Sequence, residues 1–152
     1  MAQPNIHNFY RVWFTCIDPL VLIPTVYSLI FTPEVILDAL IPATLSVYDP
    51  AQSFLFHQLA ALYAFLGIVL GGVLRASSDI NVWRIVTAGV LLIDVALLAS
   101  LYVSLDQQGR LELGKWRWQD WGNVVLTAGL VVIRGMFLAG VGVGAEGKGK
   151  KA

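Results

Sequence analysis

Four stretches of the chain carry nearly unbroken runs of apolar residues, at roughly 9–31, 53–74, 82–104 and 121–143. Each meets the length of about 20 residues that a helix needs to cross the hydrocarbon core of a bilayer. Only a helix satisfies its own backbone polar groups in lipid, and none of the runs shows the alternation of a barrel strand. The breaks between them carry turn chemistry: Asp49-Pro50, Ser77-Ser78-Asp79 and Gln107-Gln108-Gly109. The pattern predicts an all-α polytopic membrane protein, a four-transmembrane-helix up-down bundle over 9–143. A polar N-terminus, 1–8, and a basic tail, 144–152, flank it. The short later connections favour antiparallel neighbours. In the longer first connection, 32–52, the apolar group Val35-Ile36-Leu37 with Leu40-Ile41 predicts a short interfacial helix before Pro42.

Composition agrees with this class. Hydrophobic residues make up 57% and charged residues 13%, where a soluble domain carries about a quarter charged. The formal net charge is zero, so no strong field argues for a nucleic-acid partner. The first apolar run reads as a span rather than a cleaved leader.

Orientation follows the lysines and arginines. Arg11, Arg75, Arg84, Lys148, Lys150 and Lys151 fall on one side, and Arg110, Lys115 and Arg117 on the other. The six-to-three division predicts that both termini are cytosolic. Lys148 and Lys150, fifth and third from the end, resemble a dilysine retrieval signal of the endoplasmic reticulum, or else form a plain basic tail. Trp83, Trp116, Trp118 and Trp121 sit at span ends, where an interfacial belt is expected.

Ionisable residues inside spans are the main functional signal, because each costs from about 2.5 kcal/mol upward at the bilayer centre. There are three: Asp18 midway along span one, Asp94 at the middle of span three, and Arg134 near the middle of span four. Spans three and four run antiparallel, so Asp94 and Arg134 reach nearly the same depth, and an ion pair between them would make both tolerable. Asp18 then leaves one carboxylate over relative to one guanidinium. Asn123, Thr127 and Arg134 share a helix face, as do Thr87 and Asp94, and span two brings His57 and Gln58. These are the candidate site residues. The charges equally suit a lock that holds the helices in register, and Thr and Asn also glue membrane helices. Pro19 and Pro24 predict kinks just after Asp18. Gly67 and Gly71 form a GxxxG packing motif, and Gly135, Gly140, Gly142 and Gly144 are read as packing glycines too.

No HExxH, GxSxG or Walker loop is present. Two histidines, His7 and His57, are far apart in depth, and the single cysteine is Cys16, so neither a metal site nor a cofactor is implied. An enzyme of this kind would use carboxylates, His57 or Arg134 in acid–base chemistry on an apolar substrate.

The stretch Asp49-Pro50 through Ser53-Phe54-Leu55-Phe56-His57-Gln58-Leu59, following a first span and a long loop, resembles the EXPERA superfamily of four-span proteins, the emopamil-binding and sigma-2 receptor group. The resemblance implies a lipid-accessible pocket for a sterol-like ligand, with Asp49 matching the acidic residue of the Asp-Pro element. Gln58 stands where that family has a carboxylate. The ending Asp120-Trp121-Gly122-Asn123, Arg134 and Phe137-Leu138-Ala139-Gly140-Val141-Gly142 is similar to four-span proteins of filamentous fungi, some linked to secondary metabolism. Size, span number and the Trp, Asn, Arg succession of the last span also resemble the small anthrone oxygenases.

The expected function is therefore a membrane protein with a mid-membrane polar pocket, and, if an enzyme, an acid–base isomerase or cyclase of lipid or secondary metabolism. Asp18, Asp94, Arg134 and His57 would be catalytic, and Asp49, Gln58, Asn123 and Thr127 ligand-binding. Its partners are the lipid bilayer and an apolar, sterol- or terpenoid-like small molecule, and a homo-oligomer is left open. A cofactor-free oxygenase using His57, Asn123 and Arg134, and a non-enzymatic assembly or trafficking partner, are the alternatives.

Overall fold

The computed structural model describes residues 6–144. Four helices are long and apolar enough to cross a membrane: α1 (Asn8–Phe31), α3 (Pro50–Ala76), α4 (Ile80–Gln107) and α5 (Trp118–Leu138). A short helix, α2 (Pro33–Leu40), follows α1 directly. The chain is an all-α polytopic membrane protein. The ends of α1 and α5 nearest the chain termini lie together, and this end of the bundle is called the terminal side below. The opposite end, with α2, is the distal side. The tail containing Lys148 and Lys150 lies outside the described residues.

The sequence starts the helices with acidic caps. Asp49 accepts a hydrogen bond from the Ala51 amide at 2.9 Å, and Asp79 accepts one from Asn81 at 2.8 Å. In α5 the carboxylate of Asp120 reaches back to the amide of Arg117 at 2.7 Å. Each satisfies amide donors that a helix start leaves without a partner.

The helices associate as two hairpins, α1 with α3 and α4 with α5. Between α1 and α3 the GxxxG glycines admit close contact. A Cβ on Gly71 would stand 3.5 Å from Pro19 Cγ and 4.0 Å from the Thr15 carbonyl oxygen, and one on Gly67 would stand 3.8 Å from Leu22. Without a hydrophobic force between helices in lipid, such approach is what holds them together. α1 runs on as helix through both prolines, with one wide π-helical turn at Trp13–Ile17 that ends on Asp18. Asp18 N–H bonds to the carbonyl of Trp13. A proline ring crowds the carbonyl four residues earlier, here Thr15, and the wider turn relieves that crowding. A second π turn, Val69–Val73 in α3, packs against the first.

Across the two hairpins, long side chains make the contact. On the terminal side Phe137 is fully enclosed, with ring centroids 5.2 Å from Tyr10, 5.4 Å from Phe14 and 6.4 Å from Trp83. Trp83 therefore belongs to the core and not to the interfacial belt expected of it; its indole donates to the Ser77 carbonyl at 3.1 Å. Trp118 and Trp121 do remain exposed.

α5 ends at Leu138, short of the Val143 expected. Gly140 sits at φ +86°, with Val141 N–H bonded to the Met136 carbonyl and Gly140 N–H to that of Phe137. This is a Schellman cap, which needs a residue free to turn left-handed. Gly142, at φ +72°, then lets the chain cross Tyr10 and His7. Ile6 and Val143 form an antiparallel bridge, and His7 N–H bonds to the Gly142 carbonyl at 2.9 Å. The packing role expected of these glycines is thus replaced by a turning role. A Cβ on Gly135 would meet nothing within 4 Å.

Candidate functional site

Three helices bring charge to one point in the bundle interior. Arg134 of α5 donates through Nη1 to Asp94 of α4 and through Nη2 to Asp18 of α1, the latter at 2.6 Å. All three side chains are almost wholly buried. Because α5 ends early, Arg134 stands one turn from its end and not near its middle as expected. Helical side chains tilt toward the N-terminus of their helix. α5 begins on the distal side, so Arg134 reaches inward from the terminal side, while Asp18 and Asp94, on helices that begin on the terminal side, tilt to meet it. The opposed helix directions produce the convergence.

The triad splits between the hairpins. Asp94–Arg134 is formed within the α4–α5 hairpin, whereas Asp18–Arg134 crosses to α1. Thr87, two turns before Asp94, is buried on the same face. The sequence reading missed two neighbours. The indole N–H of Trp13 is buried, lies within electrostatic reach of Asp18 and completes no hydrogen bond of good geometry. Tyr63 of α3 is half-buried within electrostatic reach of Asp94. Neither stands out in sequence, because aromatic residues are ordinary in apolar spans.

The other candidates are elsewhere. His57 is exposed and lines a shallow apolar groove of about 250 Å³ with Val26, Ile30, Ala60, Ala61 and Ala64, between α1 and α3. Gln58 is exposed beside it. Asp49 is the exposed cap of α3. Asn123 donates to the Ala39 carbonyl at 3.0 Å and so fastens α2 to α5, and Thr127 is half-buried one turn further along. Asn123 and Arg134 are about 16 Å apart along the helix axis at 1.5 Å per residue, so His57, Asn123 and Arg134 are not brought together.

A second charged network lies on the distal side. Asp120 is completely buried and pairs with Arg110, whose Nη1 also donates to Gln108 at 2.7 Å. Arg117 lies 3.5 Å from Asp120 and 3.3 Å from Asp38 of α2, and Gln108 donates to the Leu40 carbonyl at 3.3 Å. All three basic residues of the last loop are therefore held in ion pairs, Lys115 with Glu112 on the surface. Among the described residues, no three metal-ligating side chains converge.

A model of the family described as "Domain of unknown function (DUF7704)" matches residues 3–144. No curated protein and no solved structure matches the chain.

Proposed function

The chain belongs to the DUF7704 family, a domain of unknown function, and we propose that it binds an apolar, sterol- or terpenoid-like ligand at the Asp18–Arg134–Asp94 triad and acts on it as an acid–base isomerase or cyclase. The observation that carries this reading is that two buried carboxylates share one guanidinium. A single ion pair suffices to hold two membrane helices in register. A further buried carboxylate adds cost without adding neutrality, and intramembrane charge of that kind is kept for function. The surplus carboxylate can carry a proton or stand opposite a positive centre. One carboxyl group would protonate a double bond of the ligand, and the second carboxylate would remove a proton from a neighbouring carbon. The double bond moves, the proton count is restored and no oxidant is needed. Arg134 fixes both carboxyl groups. The EXPERA resemblance, which implies a lipid-accessible pocket for a sterol-like ligand, supports the ligand class.

The reading also places both termini in the cytosol, on the division of basic residues, and the protein in the endoplasmic reticulum, on the tail. A signal read by cytosolic receptors requires that orientation.

The experiment compares organic extracts of purified wild-type protein with those of Asp18→Asn and of a triple variant, Asp18→Leu/Asp94→Leu/Arg134→Met. A terpenoid or sterol enriched with the wild type and absent from both variants, all three being folded and inserted, supports the reading. Identical extracts would refute it.

One observation favours a second reading, a structural lock that serves assembly. The triad is closed on itself, with all three side chains buried. A lock tolerates exchange of Asp94 and Arg134, whereas the acid–base reading loses activity with the same exchange. The oxygenase alternative has less support, because His57, Asn123 and Arg134 lie apart.

A further inference from the structure

Outside the four spans and at the first residue of α5, the distal side carries a rim of apolar side chains turned outward: Val35, Leu40, Leu45, Val47, Leu113 and Trp118. Val47 is 82% exposed and Trp118 79%. The rim has a fixed height. α2 begins two residues after α1 ends, and its far end is fastened to the first turns of α5 by Asn123 to Ala39 and by Arg117 to Asp38. Residues 33–40 therefore lie level with the ends of the spans, and the loop that follows returns to α3 with Tyr48 packed on Phe56, ring centroids 5.5 Å apart. Charge decides what can cover this surface. Its three cations are all engaged, Arg110 with Asp120, Arg117 with Asp38 and Lys115 with Glu112 at 3.2 Å. Glu34, Asp49 and Asp106 add acidic groups at the same end. Among the described residues, no basic group at this end is spare for phosphate or for an acidic partner.

We propose that this rim is embedded in the headgroup–acyl boundary of the distal leaflet, so that α2 and the two distal loops form a wedge in one leaflet, held by apolar contact and not by attraction to anionic lipid. An apolar face rimmed by acids and Trp residues, at the height where spans leave the hydrocarbon, matches that boundary. The terminal side has no equivalent segment among the described residues; its connection, 77–79, is a short polar turn. The wedge thus expands one leaflet only.

The test uses the full chain in nanodiscs of zwitterionic phosphatidylcholine. In a Cys16→Ser background, spin labels are placed singly at Val35→Cys, Leu45→Cys, Val47→Cys and Leu113→Cys, with Glu34→Cys and Glu112→Cys as polar references. Embedding predicts that oxygen relaxes the four apolar-site labels several-fold more than a water-soluble nickel chelate does, with the order reversed at the references. Chelate access at the four sites equal to that at the references would overturn the proposal. Replacing a third of the lipid with phosphatidylserine should leave the values unchanged, and a clear gain in immersion would overturn the apolar basis. Wild-type protein photolabelled by a headgroup-proximal diazirine lipid gives a measurement free of substitutions. Label on segments 33–48 and 111–118 supports the wedge, and label confined to the four spans refutes it.

Discussion

Asp18 and Arg134, 116 positions apart, are joined by a 2.6 Å ion pair that crosses from one helical hairpin to the other. The Asp94–Arg134 pair, by contrast, stays within its hairpin. The three charges are therefore not equivalent. Removing Asp18 leaves a neutral pair, while removing Arg134 leaves two carboxylates buried together without a counter-ion.

This asymmetry sets the order of stability. Arg134→Leu should cost about 3–5 kcal/mol, the range for stranding a buried charge, and Asp18→Asn less. Equilibrium unfolding in bicelles checks the order; equal losses would contradict the split arrangement. The triple variant Asp18→Leu/Asp94→Leu/Arg134→Met should fold about as well as wild type, since buried ionic clusters exchange for apolar groups at little cost.

At Gly71 an added Cβ would already stand in van der Waals contact with Pro19 and the Thr15 carbonyl, leaving no room for a branched side chain. Gly71→Val should separate α1 from α3 and cost about 1–3 kcal/mol through overpacking. Gly72→Val, where an added Cβ meets nothing within 4 Å, serves as the control. Thermal unfolding of both in one detergent shows the difference, and equal midpoints would count against the close contact.

Gly142 combines a positive φ with a crowded site, a Cβ there standing 3.0 Å from the Tyr10 ring. Gly142→Ala should destabilise by about 1–3 kcal/mol. Gly140→Ala, strained in backbone but open in space, should cost less. Tyr10→Leu, by shrinking the neighbour, should recover part of the loss in the Gly142 variant, and a double-mutant cycle measures that recovery.

Asp49 acts as a helix cap here. Asp49→Ala should lose about 1 kcal/mol, and Asp49→Asn, which caps equally well, close to nothing. If the protein binds the ligand proposed for it, unchanged ligand content in the Asn variant fits a cap alone, and a loss of ligand without loss of stability would give Asp49 a part in the site.

The spans were legible because lipid imposes one crude rule, length of apolar run, that local sequence states directly. The Asp94–Arg134 pair was legible for the same reason: in antiparallel neighbours, depth follows from counting residues. Asp18's place opposite Arg134 was not, since it depends on which face α1 turns toward α5, and that is decided by packing around Phe137, Tyr10 and Phe14. The π turn before Asp18 was hidden because Pro19 and Pro24 predict a kink, whereas the helix takes up the crowding at the Thr15 carbonyl in one widened turn, with Asp18 N–H bonded to the Trp13 carbonyl. Gly140 and Gly142 were misread because a small residue for packing and a small residue for turning look alike in sequence. Trp83 was misread because position at a span end fixes a residue's height but not its direction.

The bridge between Ile6 and Val143 has a consequence for how the backbone could be rewired. With Ile6 and Val143 already side by side, the path of the chain from 6 to 143 is a ring lacking one covalent link. Joining residues 6 and 143 with a short linker and cutting at 77–79 would give the order α4, α5, α1, α3 with its new ends on the same face of the membrane as the bridge. A chain so permuted should still assemble the same bundle, and its translocon would thread the hairpin bearing Asp94 and Arg134 first.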